Sequence, residues 1–192
     1  MYKYKYLNKF EIFENSKITL NIEQFLEKIN IDPDKIPTIV KWWSENRNHI
    51  KIYYFPFNST YPIAGVFLST DIIALNSKMT LTPHVRLFLA LHESRHCDQH
   101  AEGIFMEGYY NTVISGDKEY FLQRYKELEK DANDFAINSM IEIGFEIEMR
   151  NESNRLRSNE FAGEMVYRMM RSDIEKLNPD DFIDLLKKQI GY

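Results

Sequence analysis

An α+β fold, mostly helical with a small sheet that contains antiparallel strands, is predicted for this chain of 192 residues. Three observations predict it. Apolar residues recur at helical spacing in both halves of the chain. Between those halves, residues 50–76 hold three short β-branched and aromatic runs with prolines around them. Glycine and proline are scarce, at seven and six residues, so little interrupts the helical stretches. The length suits one domain with a real core. Within it, residues 1–49 read as an N-terminal helical part, 50–144 as a core and 145–192 as a C-terminal helical extension.

The elements follow in order. NIEQFLEKI (21–29) sets Ile22, Phe25, Leu26 and Ile29 on one helical face. After Pro33 and Pro37, TIVKWWSENR (38–47) reads as a second helix. Trp42 and Trp43 in it are read as core. Ile50 to Phe55 is a strand signature, and Pro56 and Pro62 bracket a loop. GVFLS (65–69) and IIALN (72–76), separated by Thr70-Asp71, predict a hairpin or two adjacent strands. A long helix over 82–100 starts at Thr82 as N-cap with Pro83 in the first turn. Its apolar residues nearly surround it, so it should be buried. Residues 103–116 carry three glycines and are expected to be a loop. A second long helix over 118–140 has the stripe Phe121, Tyr125, Leu128, Ala132, Phe135 and Met140. Two further helices are expected near 158–172 and 180–189, the latter starting at Asn178 or Asp180 after Pro179.

Composition excludes several functions. A net charge of -5 offers no basic stripe for nucleic acid, and the short run Lys3, Lys5, Lys9 reads as a solvated terminus. No apolar run approaches the length of a bilayer span. With Cys97 as the single cysteine, no intramolecular disulfide can form. The N-terminal residues lack the apolar stretch of a signal peptide. The expected location is the cytoplasm, or a host cytoplasm if the gene travels on a mobile element.

Chemistry concentrates in LALHESRHCDQH. His92-Glu93-Ser94-Arg95-His96 is an H-E-x-x-H sequence. Four-residue spacing stacks both imidazoles on one helical face, one turn apart, where they can grip one Zn²⁺. Glu93, beside the first histidine, is placed to take a proton from water and return it to a leaving group. Zinc supplies the activation, lowering the pKa of a coordinated water from about 15.7 towards about 7. The bland alternative is a solvated helix end with incidental histidines.

A catalytic zinc needs a third protein ligand and one open position. His100 continues the series, but positions i and i+8 lie about 12 Å apart along a helix axis, so it reads as a flanking residue. Glu129 in KELEKDANDFA borders the apolar stripe, and Asn133 follows one turn later, where it could hydrogen-bond a ligand histidine and fix its tautomer. Spacing alone leaves Glu129 open between ligand and ordinary exposed carboxylate.

H-E-x-x-H followed by E-x-x-A-N/D in a second helix resembles the gluzincin arrangement, and its details are similar to the ImmA/IrrE-type metallopeptidases. DIIALNSKMTLTPHVRLFLALHESRHCDQH resembles the strand and metal helix of that family, and ELEKDANDFA its ligand segment. The resemblance covers about residues 50–140. It implies a zincin-like core, the ligands His92, His96 and Glu129, and Glu93 as general base. The chain departs from the pattern at Ser94-Arg95, at Asp131, and in a longer insert between the motifs. The resemblance further implies an intracellular protein or peptide substrate, often a transcriptional regulator, bound as a strand added to the sheet.

Smaller features stay open. Cys97 points about 100° away from His96 around the helix and reads as a buried small residue. An oxyanion donor is expected among Tyr109, Tyr110, Tyr120 and Tyr125. Arg155, Tyr167 and Arg168 are undistinguished candidates. Two rivals to a peptidase remain: a catalytically silent binding or regulatory protein, and a metallohydrolase acting on a non-peptide bond. Glu93 speaks against the first, since a structural metal site needs no base.

Overall fold

The computed structural model describes residues 19–56, 64–103, 112–113 and 115–175. Its elements are β1 (Thr19–Leu20), α1 (Ile22–Lys28), α2 (Ile36–Asn46), β2 (Lys51–Phe55), β3 (Gly65–Ser69) and β4 (Ile72–Asn76). They continue as α3 (Pro83–Ala101), α4 (Lys118–Glu142), α5 (Glu146–Leu156), a 3-10 turn (Arg157–Phe161) and α6 (Gly163–Glu175). The fold is therefore α+β, with helices dominating a small mixed sheet. No helix among the described residues is long and apolar enough to cross a membrane.

The sheet order is β1-β2-β4-β3. The predicted hairpin is present: β3 runs antiparallel to β4, with Gly65 opposite Leu75 and Phe67 opposite Ile73. The register shifts between Phe67 and Ser69, a bulge that twists the strand. β4 runs parallel to β2, and the two-residue β1, which has no pattern long enough to predict, pairs antiparallel with β2. Among the described residues, β3 thus forms one edge of the sheet.

α3 lies between this sheet and α4, touching both β3 and β4 on one side. That explains its apolar circumference. Val85, Leu87, Phe88, Ala90 and Leu91 are all buried in the first half of the helix. They join Phe25, Leu26, Ile39, Trp43, Ile52 and Ile73 in the main core, closed from the other side by Ala136 and Met140 of α4. Each buried Val, Leu, Ile, Phe or Met among them contributes about 1.5–3 kcal/mol by leaving water, and that apolar mass can carry a few buried polar groups. Pro83 occupies the first turn as expected, but Thr82 makes no capping bond. Its hydroxyl meets the His84 ring instead, at 3.2 Å.

A smaller cluster joins α4 to α6 through Phe121, Tyr125, Leu128 and Tyr167. Gly163 permits this closure, because a Cβ there would stand 3.0 Å from the Tyr125 ring. Between α4 and α5 the chain turns at Gly144, whose φ of +91° suits glycine.

Most boundaries agree with the sequence reading to within two residues. α5 was not anticipated, since EIEMRNESNRL offers only Ile147, Met149 and Leu156 as apolar positions. The C-terminal helix starts at Gly163, not near 158, because residues 157–161 form the 3-10 turn. The expected loop over 103–116 includes helical residues at 112, 113 and 115. The rest of it, Tyr109 and Tyr110, and the expected helix at 180–189 lie outside the described residues, save Gly103 and Gly116.

Candidate metal centre

His92 and His96 project from one face of α3, and their rings meet edge to face with centroids 4.6 Å apart. Glu129 projects from the facing side of α4. All three are buried, at 4%, 3% and 8% exposure, although glutamate is among the residue types least often found inside. The ligand-capable atoms converge. His92 Nε2 and His96 Nε2 are 3.0 Å apart. Glu129 Oε2 lies 3.3 Å from His92 Nε2, and Oε1 lies 3.6 Å from His96 Nε2. A tetrahedral zinc with bonds of roughly 2.0–2.1 Å spaces its donors by about 3.3 Å. The three donors fit that shape. Together they could hold a metal ion, and they are the one such group among the described residues.

Electrostatics agree with the geometry. Burial works against the charged forms of His96 and Glu129, but the bond between them reverses both effects. Despite desolvation, hydrogen bonding to Glu129 pushes the His96 ring up to about 9. Despite desolvation, the two imidazoles hold the Glu129 carboxyl well below the usual carboxylate range. Without a cation, a proton on His96 would offset the Glu129 charge. A divalent ion would replace that proton with a larger charge at the same spot.

The surrounding contacts orient each ligand. His96 Nδ1 meets Gln99 Oε1 at 2.7 Å. An amide oxygen only accepts, so Nδ1 carries the hydrogen and Nε2 is left to face the metal position. Gln99 is itself fixed: its amide donates to the Leu128 carbonyl at 3.1 Å and to Asp131 at 2.8 Å. Arg95 holds Asp131 from the other side at 2.8 Å. Arg95 and Asp131, two departures from the family pattern, thus meet each other. Gln99 was missed by the sequence reading. Its signal was present, a polar residue one turn beyond the second histidine.

Asn133 is a correction. It donates to Asn159 Oδ1 at 2.9 Å and Glu160 Oε1 at 3.0 Å, and so supports the carboxylate side of the site. It hydrogen-bonds no ligand histidine; for His96 that role falls to Gln99. The reason is the 3-10 turn, which brings two polar side chains over Asn133. Two buried polar atoms are left without a partner near the ligands, His92 Nδ1 and Asn133 Oδ1.

Glu93 lies one position after the first histidine and is buried at 8% exposure. Burial pushes its carboxyl above the usual range, the charges of His92 and His96 pull it back, and the Glu129 charge pushes it further up. It accepts a backbone hydrogen bond from Phe67 of β3. Gly65 of the same strand leaves it room: a Cβ there would stand 3.0 Å from Glu93 Cγ and 3.1 Å from Oε1.

The remaining candidates separate clearly. Tyr125 is buried and hydrogen-bonds Glu129, and desolvation raises its hydroxyl pKa far above the ordinary value. Its hydroxyl is therefore protonated and stands at the site. His100 is outside the ligand group and packs against the Phe67 ring at 5.8 Å. Cys97 is also outside it. Its thiol is pushed up to about 12 by burial and faces the Ile72 carbonyl. Tyr120 is exposed, Tyr167 is core, and Arg155 and Arg168 pair with Glu152 and Glu164 on helix surfaces. Trp43 is buried in the core, while Trp42 is half-buried and donates its indole N–H to Glu142 at 2.7 Å.

The chain matches no protein-family model, no curated protein and no solved structure.

Proposed function

We propose that this chain is a zinc-dependent metallopeptidase with a zincin-like core, acting on an intracellular protein or peptide. One observation carries the reading. Two imidazoles and a carboxylate converge with tetrahedral spacing, and a buried glutamate sits on the same helical turn. A site that only stabilises the fold has no use for Glu93, a carboxyl that is costly to bury.

A bound zinc ion would supply a Lewis acid that polarises a peptide carbonyl and acidifies water near neutral pH. The chain does the rest. His92, His96 and Glu129 fix the ion and leave a fourth direction open. Glu93 takes a proton from the attacking water as the carbon–oxygen bond forms. It then delivers that proton to the departing amide nitrogen as the carbon–nitrogen bond breaks. A carboxyl can both accept and return a proton, and burial raises this one in the metal-free chain. Among the described residues, Tyr125 is the candidate tyrosine that stands at the site, and its hydroxyl would support a developing oxyanion by turning from Glu129.

β3 suits the substrate. It is an edge strand among the described residues, and it reaches Glu93 through Phe67. An extended peptide added along that edge would pass over the general base. A transcriptional regulator is the substrate class that the family resemblance favours.

The test is paired proteomics of cells expressing wild type or Glu93→Gln, with the zinc content of both proteins measured. New protein termini that appear only with wild type, at equal zinc content, support the peptidase. Identical termini with zinc bound in both would leave a silent binding protein, and a substrate panel would then probe non-peptide bonds.

A further inference from the structure

The carboxylate ligand is not held by its own helix alone. Asn159, on the 3-10 turn over Arg157–Phe161, donates from Nδ2 to Glu129 Oε2 at 2.6 Å. Oε2 is the oxygen that also faces His92. The direction of the Asn159 amide is fixed by a second bond, because its Oδ1 accepts from Asn133 at 2.9 Å. A flipped amide would set oxygen against carboxylate and nitrogen against nitrogen, losing both bonds. Asn133 is anchored in turn by Glu160, which accepts from Asn133 at 3.0 Å and from Arg157 at 3.0 Å. Arg157 also pairs with Asp134 of α4. The turn is therefore tied to α4 at Glu129 itself and one turn further on, at Asn133 and Asp134.

We infer that Asn159 is a positioning residue of the metal centre, fixing the Glu129 carboxylate in the orientation that ligates the ion, and that the turn carrying it is part of the site. This rests on the zinc-site reading above. Without Asn159, the carboxylate loses a charge-assisted bond and can rotate away from the histidines. An ion would then have to order it at the moment of binding, which lowers affinity. Partners of this kind typically account for about 10–100-fold in metal affinity.

The full chain is stripped of metal and titrated with zinc against a chromophoric chelator. Wild type is compared with Asn159→Ala, Asn133→Ala, their double variant, and Phe161→Ala. Phe161 lies on the same turn with its side chain exposed, and so controls for general loosening. Asn159→Ala is expected to weaken zinc binding about 10–100-fold, Asn133→Ala less, and the double variant no more than Asn159→Ala alone. Phe161→Ala should bind as wild type does. The cobalt-substituted absorption spectrum of Asn159→Ala should also change, which a merely structural role would not cause. If Asn159→Ala does not fold, Asn159→Ser, too short to reach Glu129, carries the same comparison.

Wild-type affinity and spectrum in Asn159→Ala would overturn this inference and leave the zinc site standing. A Phe161→Ala loss equal to that of Asn159→Ala would overturn it too. Failure of the wild type itself to bind zinc would remove the zinc-site reading and this inference with it.

Discussion

The two halves of the candidate metal centre are built on different principles. The histidine half is local. His92, Glu93, His96 and Gln99 all come from two turns of one buried helix, and their mutual geometry is set by helical periodicity. The carboxylate half is assembled. Glu129 comes from α4, Tyr125 from a turn before it, and Asn159 from a 3-10 turn 30 residues further on. The lesson is about what can go wrong. The histidine half needs only α3 and the contact of Gln99 with Leu128 and Asp131 of α4, whereas the carboxylate half depends in addition on the C-terminal segment docking onto α4.

That contrast can be broken at several points. The largest effect is expected within the histidine half. Glu93→Gln should lower turnover by about 10²–10⁴-fold while zinc content stays at the wild-type level, because only proton handling is lost. Turnover assays alongside metal analysis measure both. Next come the supports of the ligands. Gln99→Ala frees the His96 ring and should weaken zinc binding by about 10–100-fold, comparable with the loss expected for Asn159→Ala. Gln99 and Asn159 share no hydrogen-bond partner, but the ligands they orient, His96 and Glu129, face each other across one ion position, so the combined loss should fall short of the sum of the two. Isothermal titration of the double variant tests this, and strict additivity would mean that the two halves act independently.

A smaller effect is expected from Gly65→Ala. The new methyl meets Leu75 at 2.9 Å and Glu93 at 3.0 Å, so the base must shift while the ligands stay put. Turnover should fall about tenfold, a fraction of the hundredfold that a misplacement of about 1 Å can bring. Zinc affinity should be unchanged. A parallel loss of zinc would show that Glu93 and the ligands move together.

The smallest effect concerns pH. In the metal-free protein the His96 ring is raised from 6.5 to about 9, so it binds a proton more tightly folded than unfolded. The stability this brings is fully present below pH 6.5 and is lost as pH rises towards 9. The raised Glu93 pKa acts in the same direction. Melting of the metal-free chain should therefore fall by a few degrees across that interval. Zinc affinity should rise over the same interval, since the ion displaces that proton. Parallel trends would contradict a proton on His96 at the metal position.

The same division explains what was legible in the sequence. His92, Glu93 and His96 could be read because their chemistry is written in a four-residue spacing. Glu129 was readable as a carboxylate beside an apolar stripe, with the family resemblance deciding for it. Gln99 was readable in principle, one turn past His96, and was overlooked. Asn159 carried no signal at all. It sits on a turn without periodicity, and only tertiary packing brings it to Glu129. Asn133 was placed correctly on the site-facing side of α4 but given the wrong neighbour, because that neighbour comes from the same unreadable turn. Elsewhere the hairpin and both long helices were legible from apolar patterning. β1 was too short to leave a pattern, and α5 has too few apolar residues.

The central claim is that His92, His96 and Glu129 hold one ion between them and leave a position open. X-ray absorption at the zinc edge of the loaded full chain addresses it directly. The expected result is one zinc per chain with two imidazole nitrogens, one carboxylate oxygen and one further light atom that exchanges with added ligand, all lost in Glu129→Ala. A sulfur neighbour, four protein ligands, or no stoichiometric zinc would contradict it.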